Sequence, residues 1–132
     1  MITFDQVRTL ALALPSSEER LSYGTPAFFI TGGKLFARLH DDGETVALKS
    51  GFVERDALIA QDPVTFRTTP HYSDHPFVLV RAASVDPDQF AELLTDAWRF
   101  VAPRRLLSAL DSGPLGDEGS RKDAKAQSTK EL

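Results

Sequence analysis

Apolar residues recur at helical spacing in two stretches, one near each end of the folded part of the chain. The first follows Thr3, which forms a T-x-x-Q capping box with Gln6 and so predicts the start of a helix. The second follows Asp86, an N-cap residue with a proline directly after it. Large apolar residues between Phe90 and Val101 lie at i, i+3, i+4, i+7, i+8 and i+11, which predicts one wide stripe that faces a core.

Between these helices the pattern changes to short runs rich in β-branched and aromatic residues. Five runs predict strands: "TPAFFIT", "KLFARLH", "TVALK", "VTFRTT" and "PFVLVRA". Gly32 and Gly33 join the first two as a hairpin, and "GFVERDALIAQDP" predicts a helix after the third. The order is therefore α-β-β-β-α-β-β-α, which predicts a two-layer α+β fold with a five-stranded antiparallel sheet. We expect the helices to cover one face of the sheet and to leave the other open.

Composition bounds the size of this fold and its class. The chain has 132 residues, 42% of them apolar, which suits one domain, and we place it over residues 1–110. Residues 111–132 contain only two leucines as large apolar residues, so we predict a flexible polar tail. The chain has no cysteine and no apolar run near the ~20 residues that cross a bilayer, so we expect a cytoplasmic protein without a membrane partner.

Charge is distributed unevenly although the net charge of −4 does not favour a polyanion. Every charged residue in the five predicted strands is basic, and strand alternation places most of these bases on the open face. Arginine and lysine neutralise phosphates, and an exposed aromatic stacks on a base. The candidates for binding an anion or nucleic acid are Lys34, Phe36, Arg38, Lys49, Arg67 and Arg81. The alternative is that these bases merely solvate an open face and discourage edge-to-edge pairing.

The segment "TTPHYSDHP" concentrates chemically active side chains between the last two predicted strands. Its two prolines disfavour a helix, so we predict a loop in which His71 and His75 flank Tyr72. A zinc site needs three or four ligands, and His71, Asp74 and His75 offer three, with His40 the only other histidine. Their spacing matches no standard ligand motif, and acid–base work by Tyr72 and His71 would require a pocket. We therefore predict a polar connection, with no metal, no cofactor and no catalytic residues.

Three segments, in this order, resemble the MmcQ/YjbR family of small bacterial proteins: "LPSSEERLSYGTPAFFITGGKLFARL", "TPHYSDHPFVLVR" and "DAWRFVAPRRL". The resemblance covers about residues 3–107 and implies an α+β fold like that of CyaY or of type III secretion chaperones. Such proteins are commonly labelled DNA-binding, and the resemblance assigns no catalytic residue.

Two functional hypotheses follow from the residues and the resemblance together. The leading one is a non-enzymatic module that binds DNA or another anionic ligand on the open face of its sheet. The alternative is a chaperone-like interaction domain that binds a peptide or a second copy of the chain. The sequence leaves the oligomeric state open.

Overall fold

The computed structural model describes residues 1–111, which contain four helices and six strands. In chain order the elements are α1 (Phe4–Leu12), β1 (Ser17–Ser22), β2 (Thr25–Ile30), β3 (Leu35–Leu39), β4 (Thr45–Lys49), α2 (Phe52–Gln61), β5 (Phe66–Arg67), β6 (Phe77–Arg81), α3 (Pro87–Val101) and α4 (Arg104–Asp111). Met1–Ala102 forms one compact unit that contains the whole sheet, and α4 belongs to a second unit that begins at Pro103. The predicted tail, residues 111–132, lies outside the described residues except for its first position.

All six strands form one antiparallel sheet in the order β1-β2-β3-β4-β6-β5. The predicted α+β fold is confirmed, but the sheet has six strands where five were predicted. The missed strand is β1, whose sequence "SEERLS" is rich in charge and therefore untypical of strands. Because β1 lies at the edge of the sheet, such charges can remain in solvent and discourage pairing with another molecule.

The apolar side of the sheet packs against α3, which contacts β3 and β4, while α1 contacts α3 and β1. Both predicted helix starts are present, since the Thr3 hydroxyl accepts from the Gln6 amide and the Asp86 carboxylate accepts from the Gln89 amide. Trp98 of α3 is fully buried and donates its indole N–H to the carbonyl of Pro15 over 3.0 Å. No helix within residues 1–111 has the length and hydropathy of a membrane span.

A β-bulge lies at Phe36, which was predicted to be exposed and is buried. Phe28 pairs with Ala37 but Phe29 pairs with Leu35, so Phe36 is the extra residue of β3 and strand alternation is interrupted there. Phe36 is 0% exposed, and its predicted role as a stacking aromatic on an open face is therefore wrong. Leu35, which alternation directed to the core, is only partly buried.

Strand β5, which corresponds to the predicted run "VTFRTT", is also shorter than predicted, because a turn after α2 occupies the first residues of that run. The amides of Thr65 and Phe66 both donate to the carbonyl of Asp62, so regular strand structure begins only at Phe66, although the Thr65 carbonyl already accepts from the Arg81 amide of β6. Val64, which alternation directed to the core, is consequently 67% exposed.

The sheet face opposite the apolar side is not open as predicted. We call it the second face and define it by a row of residues paired across the strands: Ala27, Arg38, Ala47, Leu79 and Arg67. The three apolar members of this row are at most 1% exposed. They are covered because long side chains lie over them and because the connection between β5 and β6 folds back across the sheet, which brings Tyr72 to His40 and Arg38.

We expect Phe36→Ala to lower the free energy of unfolding by about 3–5 kcal/mol, the usual effect of truncating a buried phenylalanine. Leu21→Ala is the matched control, because Leu21 is 74% exposed on β1 and its truncation should change stability by about 0.5 kcal/mol or less. Chemical denaturation followed by the fluorescence of Trp98 measures both variants. Equal effects of the two substitutions would contradict the burial of Phe36.

Candidate anion-binding site

Two arginines lie in one row on the second face and define the candidate site. Arg38 on β3 is opposite Ala47 on β4, Ala47 is opposite Leu79 on β6, and Leu79 is opposite Arg67 on β5. Residues that face each other across antiparallel strands share a side of the sheet, so both guanidinium groups rise from the same side. The short side chain of Ala47 leaves room for them above the middle of the row.

Arg38 is held by hydrogen bonds to neutral groups. Its Nε donates to the carbonyl of Ser22 (3.3 Å) and to the hydroxyl of Thr25 (3.0 Å), and its Nη1 donates to the Tyr72 hydroxyl (3.3 Å). Its Cζ lies 5.6 Å from the centre of the Tyr23 ring. No carboxylate within residues 1–111 forms an ion pair with it. The positive charge of Arg38 is thus oriented by its neighbours but not neutralised by them.

Arg67 lies deeper and is only partly satisfied. Its Nη2 donates to the Thr45 hydroxyl over 3.1 Å, and that hydroxyl in turn donates to the carboxylate of Asp42 over 2.7 Å. Its Nη1 is buried and has no hydrogen-bond partner in the described part of the chain. A buried donor without a partner costs roughly 1–3 kcal/mol, so this part of Arg67 is held at a cost to stability.

Tyr72 connects Arg38 to a histidine. The Tyr72 hydroxyl lies 3.0 Å from Nε2 of His40, and the two rings are stacked with their centres 5.7 Å apart. Burial, and after it the charge of Arg38, lower the pKa of His40, with a smaller contribution in the same direction from Arg67 and opposing ones from Asp42 and Asp41. In the tautomer of neutral His40 that carries its proton on Nδ1, the Tyr72 oxygen accepts from Arg38 and the Tyr72 hydroxyl donates its own proton to Nε2.

A buried arginine on α2 holds the segment that carries Tyr72. Arg55 is 7% exposed, and its Nη1 donates to the carbonyl oxygens of Tyr72 (3.3 Å), Ser73 (3.3 Å) and His75 (3.1 Å). Its Nε also contacts the carboxylate of Asp56 at 3.3 Å. The β5–β6 connection is therefore fixed through its backbone, and Arg55 acts as a positioning residue for Tyr72.

The two histidines that flank Tyr72 are exposed and do not form a metal site with their neighbours. The His71 and His75 ring centres are 6.0 Å apart, and His71 meets the Tyr72 ring edge-on at 5.1 Å. Within residues 1–111 no three histidine, aspartate or glutamate side chains come together as ligands, so His71, Asp74 and His75 do not form the set considered from the sequence.

The remaining predicted candidates lie away from the two arginines or are neutralised. Lys34 is exposed at the far end of β3, and Lys49 lies at the far end of β4 with its Nζ 5.2 Å from the centre of the Phe77 ring. Arg81 forms an ion pair with Glu44 at 3.0 Å, which leaves less of its charge for a ligand. Of the six candidates, only Arg38 and Arg67 lie in one row of the second face without an ion pair in residues 1–111, and the charge of each lowers the pKa of His40.

Sequence reasoning missed three contributors to the site: His40, Thr45 and Arg55. His40 follows Arg38 by two positions, so strand alternation carried a signal for it. Strand alternation places Thr45 on the same face as Ala47, but nothing in the sequence pairs it with Arg67. Arg55 lies in a helix among other charged residues, and no local pattern links it to carbonyl groups about twenty positions later.

This fold and site are those of a small α+β domain with a basic, partly covered sheet face. The family model YjbR matches residues 12–100, and the chain belongs to the YjbR family. The resemblance identified from the sequence is thereby confirmed.

Known relatives share the sequence over a limited region. The uncharacterized proteins Mb2600 of Mycobacterium bovis and Rv2570 of Mycobacterium tuberculosis are each 45% identical to the chain over 53 residues, which are 40% of the chain and 41% of either relative. The match thus spans about two fifths of the length of these relatives.

A solved structure shares the fold over nearly its whole length. The crystal structure of the Deinococcus radiodurans protein DR2400, described as a DUF419 domain, superposes with a TM-score of 0.68 and 20% sequence identity. The superposition covers 90% of this chain and 97% of that one. At this identity the likeness shows the fold alone.

We expect the pKa of His40 to lie below its ordinary value of 6.5, as measured by NMR titration of its imidazole protons. Arg38→Met should raise this pKa because it removes a neighbouring positive charge, and Asp42→Asn should lower it further because it removes an opposing carboxylate. Because the folded state disfavours the charged imidazole, His40 should reduce stability progressively as the pH falls from 6.5 through its folded pKa.

Lys34→Met is the control for this titration. It removes the same charge from the opposite end of β3, about 13 Å along the strand, where solvent screens it. An unchanged His40 titration in Arg38→Met, or an equal change in Lys34→Met, would contradict the proximity of Arg38 to His40.

Proposed function

We propose that this YjbR-family protein is a non-enzymatic binding module whose second face receives the phosphate groups of DNA. The observation that carries the proposal is that Arg38 and Arg67 share one face of the sheet and that neither forms an ion pair with a carboxylate in residues 1–111. Arginine presents a planar fork of donors that matches phosphate oxygens, and it keeps its charge at every physiological pH.

Local neutralisation explains how an acidic chain can offer a positive site. Two carboxylates are already paired with arginines, Glu18 with Arg20 and Glu44 with Arg81. Asp42 accepts from the neutral Thr45 hydroxyl and keeps its charge, so one nearby carboxylate partly offsets the charge of Arg67. A local cluster of bases attracts a counter-charge even when the whole molecule is acidic.

The chemistry of the site supports binding rather than catalysis. Arg38 and Arg67 are fixed charges that do not exchange protons. Tyr72 and His40, the groups with suitable acid–base chemistry, are hydrogen-bonded to each other over 3.0 Å. Together they orient the Arg38 guanidinium, and a binding site needs its charged groups to be oriented in this way.

We expect the double variant Arg38→Gln, Arg67→Gln to lose most of its affinity for a fluorescently labelled DNA duplex, measured by anisotropy at two salt concentrations. The slope of log affinity against log salt should become shallower by about 2, because two phosphate contacts release roughly 0.9 counterions each on duplex DNA. Unchanged thermal unfolding of the variant shows that the fold is retained.

The matched control removes two arginines that are already paired. Arg20→Gln, Arg81→Gln changes the net charge by the same amount but takes away side chains bound to Glu18 and Glu44. It should change the affinity much less than the first double variant. Arg20 is opposite Ala27 and Arg81 is opposite Thr45, so both control arginines lie on the second face. Equal losses in the two double variants would therefore show that the charge of the whole face, and not the unpaired Arg38 and Arg67, decides binding.

One observation favours the second candidate function, which is the binding of an extended chain. β1 is an edge strand, and its apolar residue Leu21 is 74% exposed beside Tyr23, which is 94% exposed. We propose as the alternative that a peptide or a second copy adds a strand to this edge. Binding would then depend weakly on salt, because it rests on backbone hydrogen bonds.

We expect this alternative, for a second copy, to give a dimer mass in light scattering that Leu21→Lys reduces to a monomer. Leu12→Lys, on an exposed position of α1, adds the same charge away from the edge and should leave the mass unchanged. A monomer mass for the unmodified chain at high concentration would exclude self-association through β1.

A further inference from the structure

The turn between β1 and β2 contains a residue that its conformation does not favour. Tyr23 has φ of +52° and Gly24 has φ of +81°, a pair of positive values typical of a type I′ turn. Such turns favour asparagine or aspartate followed by glycine, because a bulky side chain is strained at positive φ. Tyrosine therefore stands where turn chemistry alone would select a small polar residue, and such departures concentrate at functional positions.

The Tyr23 side chain gains little from the protein itself. It is 94% exposed, so its ring gains almost nothing from burial. Its recorded contact is with the guanidinium of Arg38, 5.6 Å from the ring centre and within the range of a cation–π interaction. The exposed ring is therefore held next to the cation that is proposed to receive a phosphate.

We infer that Tyr23 stacks on a nucleobase while Arg38 holds a neighbouring phosphate, so that the partner is single-stranded nucleic acid. This inference rests on the proposed function and makes it more specific. An aromatic ring reaches the flat face of a base only where the base is unstacked, and proteins that bind single strands combine such rings with a basic groove. In a duplex both faces of each internal base are covered.

The position of Arg38 supports the same partner. Its guanidinium neighbours two tyrosines, the exposed Tyr23 ring at 5.6 Å and the Tyr72 hydroxyl at 3.3 Å. A base on Tyr23 would thus lie next to a phosphate on Arg38. Bases and phosphates follow each other in this way along a single strand of nucleic acid. The stacking role that was predicted for Phe36, which is buried, thus passes to the exposed Tyr23.

The test compares two labelled oligonucleotides of equal length and equal charge, oligo-dT and an abasic strand that has the same phosphodiester backbone without bases. Their binding to the full chain is measured by fluorescence anisotropy at low salt. We expect oligo-dT to bind about tenfold or more tightly than the abasic strand, because stacking on one aromatic side chain contributes at least that much.

Two variants at position 23 assign the difference to the ring. Tyr23→Asn supplies the residue that a type I′ turn prefers, so it removes the ring without disturbing the fold, and it should abolish the preference for oligo-dT. Tyr23→Phe keeps the ring and should keep the preference.

Three results would overturn the inference. Equal, salt-dependent binding of the two oligonucleotides would leave the proposed function standing and exclude base stacking. An equal loss for both oligonucleotides in Tyr23→Asn would show that the ring only supports Arg38, and tighter binding of a duplex than of oligo-dT would exclude a single-stranded partner. The absence of binding to either strand and to duplex would overturn the proposed function as well.

Discussion

The register of β3, β4, β6 and β5 is the constraint on which the site depends. Val46 pairs with Val80 and Val80 with Phe66, and these residues form the apolar row that packs beneath the helices. A slip of one residue would turn this row to the second face and bury Arg38 and Arg67 in the core. Burial of apolar side chains thus fixes which side of the sheet carries the two guanidinium groups, although no apolar residue of that row touches them.

Pairing with carboxylates separates the arginines of this chain into two groups. Arg8, Arg20, Arg55 and Arg81 each have a carboxylate oxygen within 4.0 Å. Arg38 and Arg67 instead bind hydroxyl and carbonyl groups, which orient them and leave their charge available. The placement of the acids, more than the number of bases, therefore determines where an acidic protein can attract an anion.

Strand alternation was sufficient to place Arg38 and Arg67 on one side of the sheet, because a period of two survives wherever the pairing is regular. It failed at Phe36, where a bulge adds one residue without any mark in the sequence. The edge strand β1 was not predicted, because its sequence is rich in charged residues. The contact between Tyr72 and His40 spans 32 positions and depends on how a long connection folds, which local pattern cannot supply.

Arg55 recognises the β5–β6 connection through main-chain oxygens and not through side chains. These three bonds are consequently indifferent to the side chains at positions 73 and 75, since every amino acid offers the same carbonyl. Side-chain contacts add to them, because the Ser73 hydroxyl donates to the Pro70 carbonyl and the His75 ring centre lies 6.0 Å from that of His71. A substitution at position 55 would remove all three main-chain bonds at once, because one helical side chain there orients Tyr72, the neighbour of Arg38.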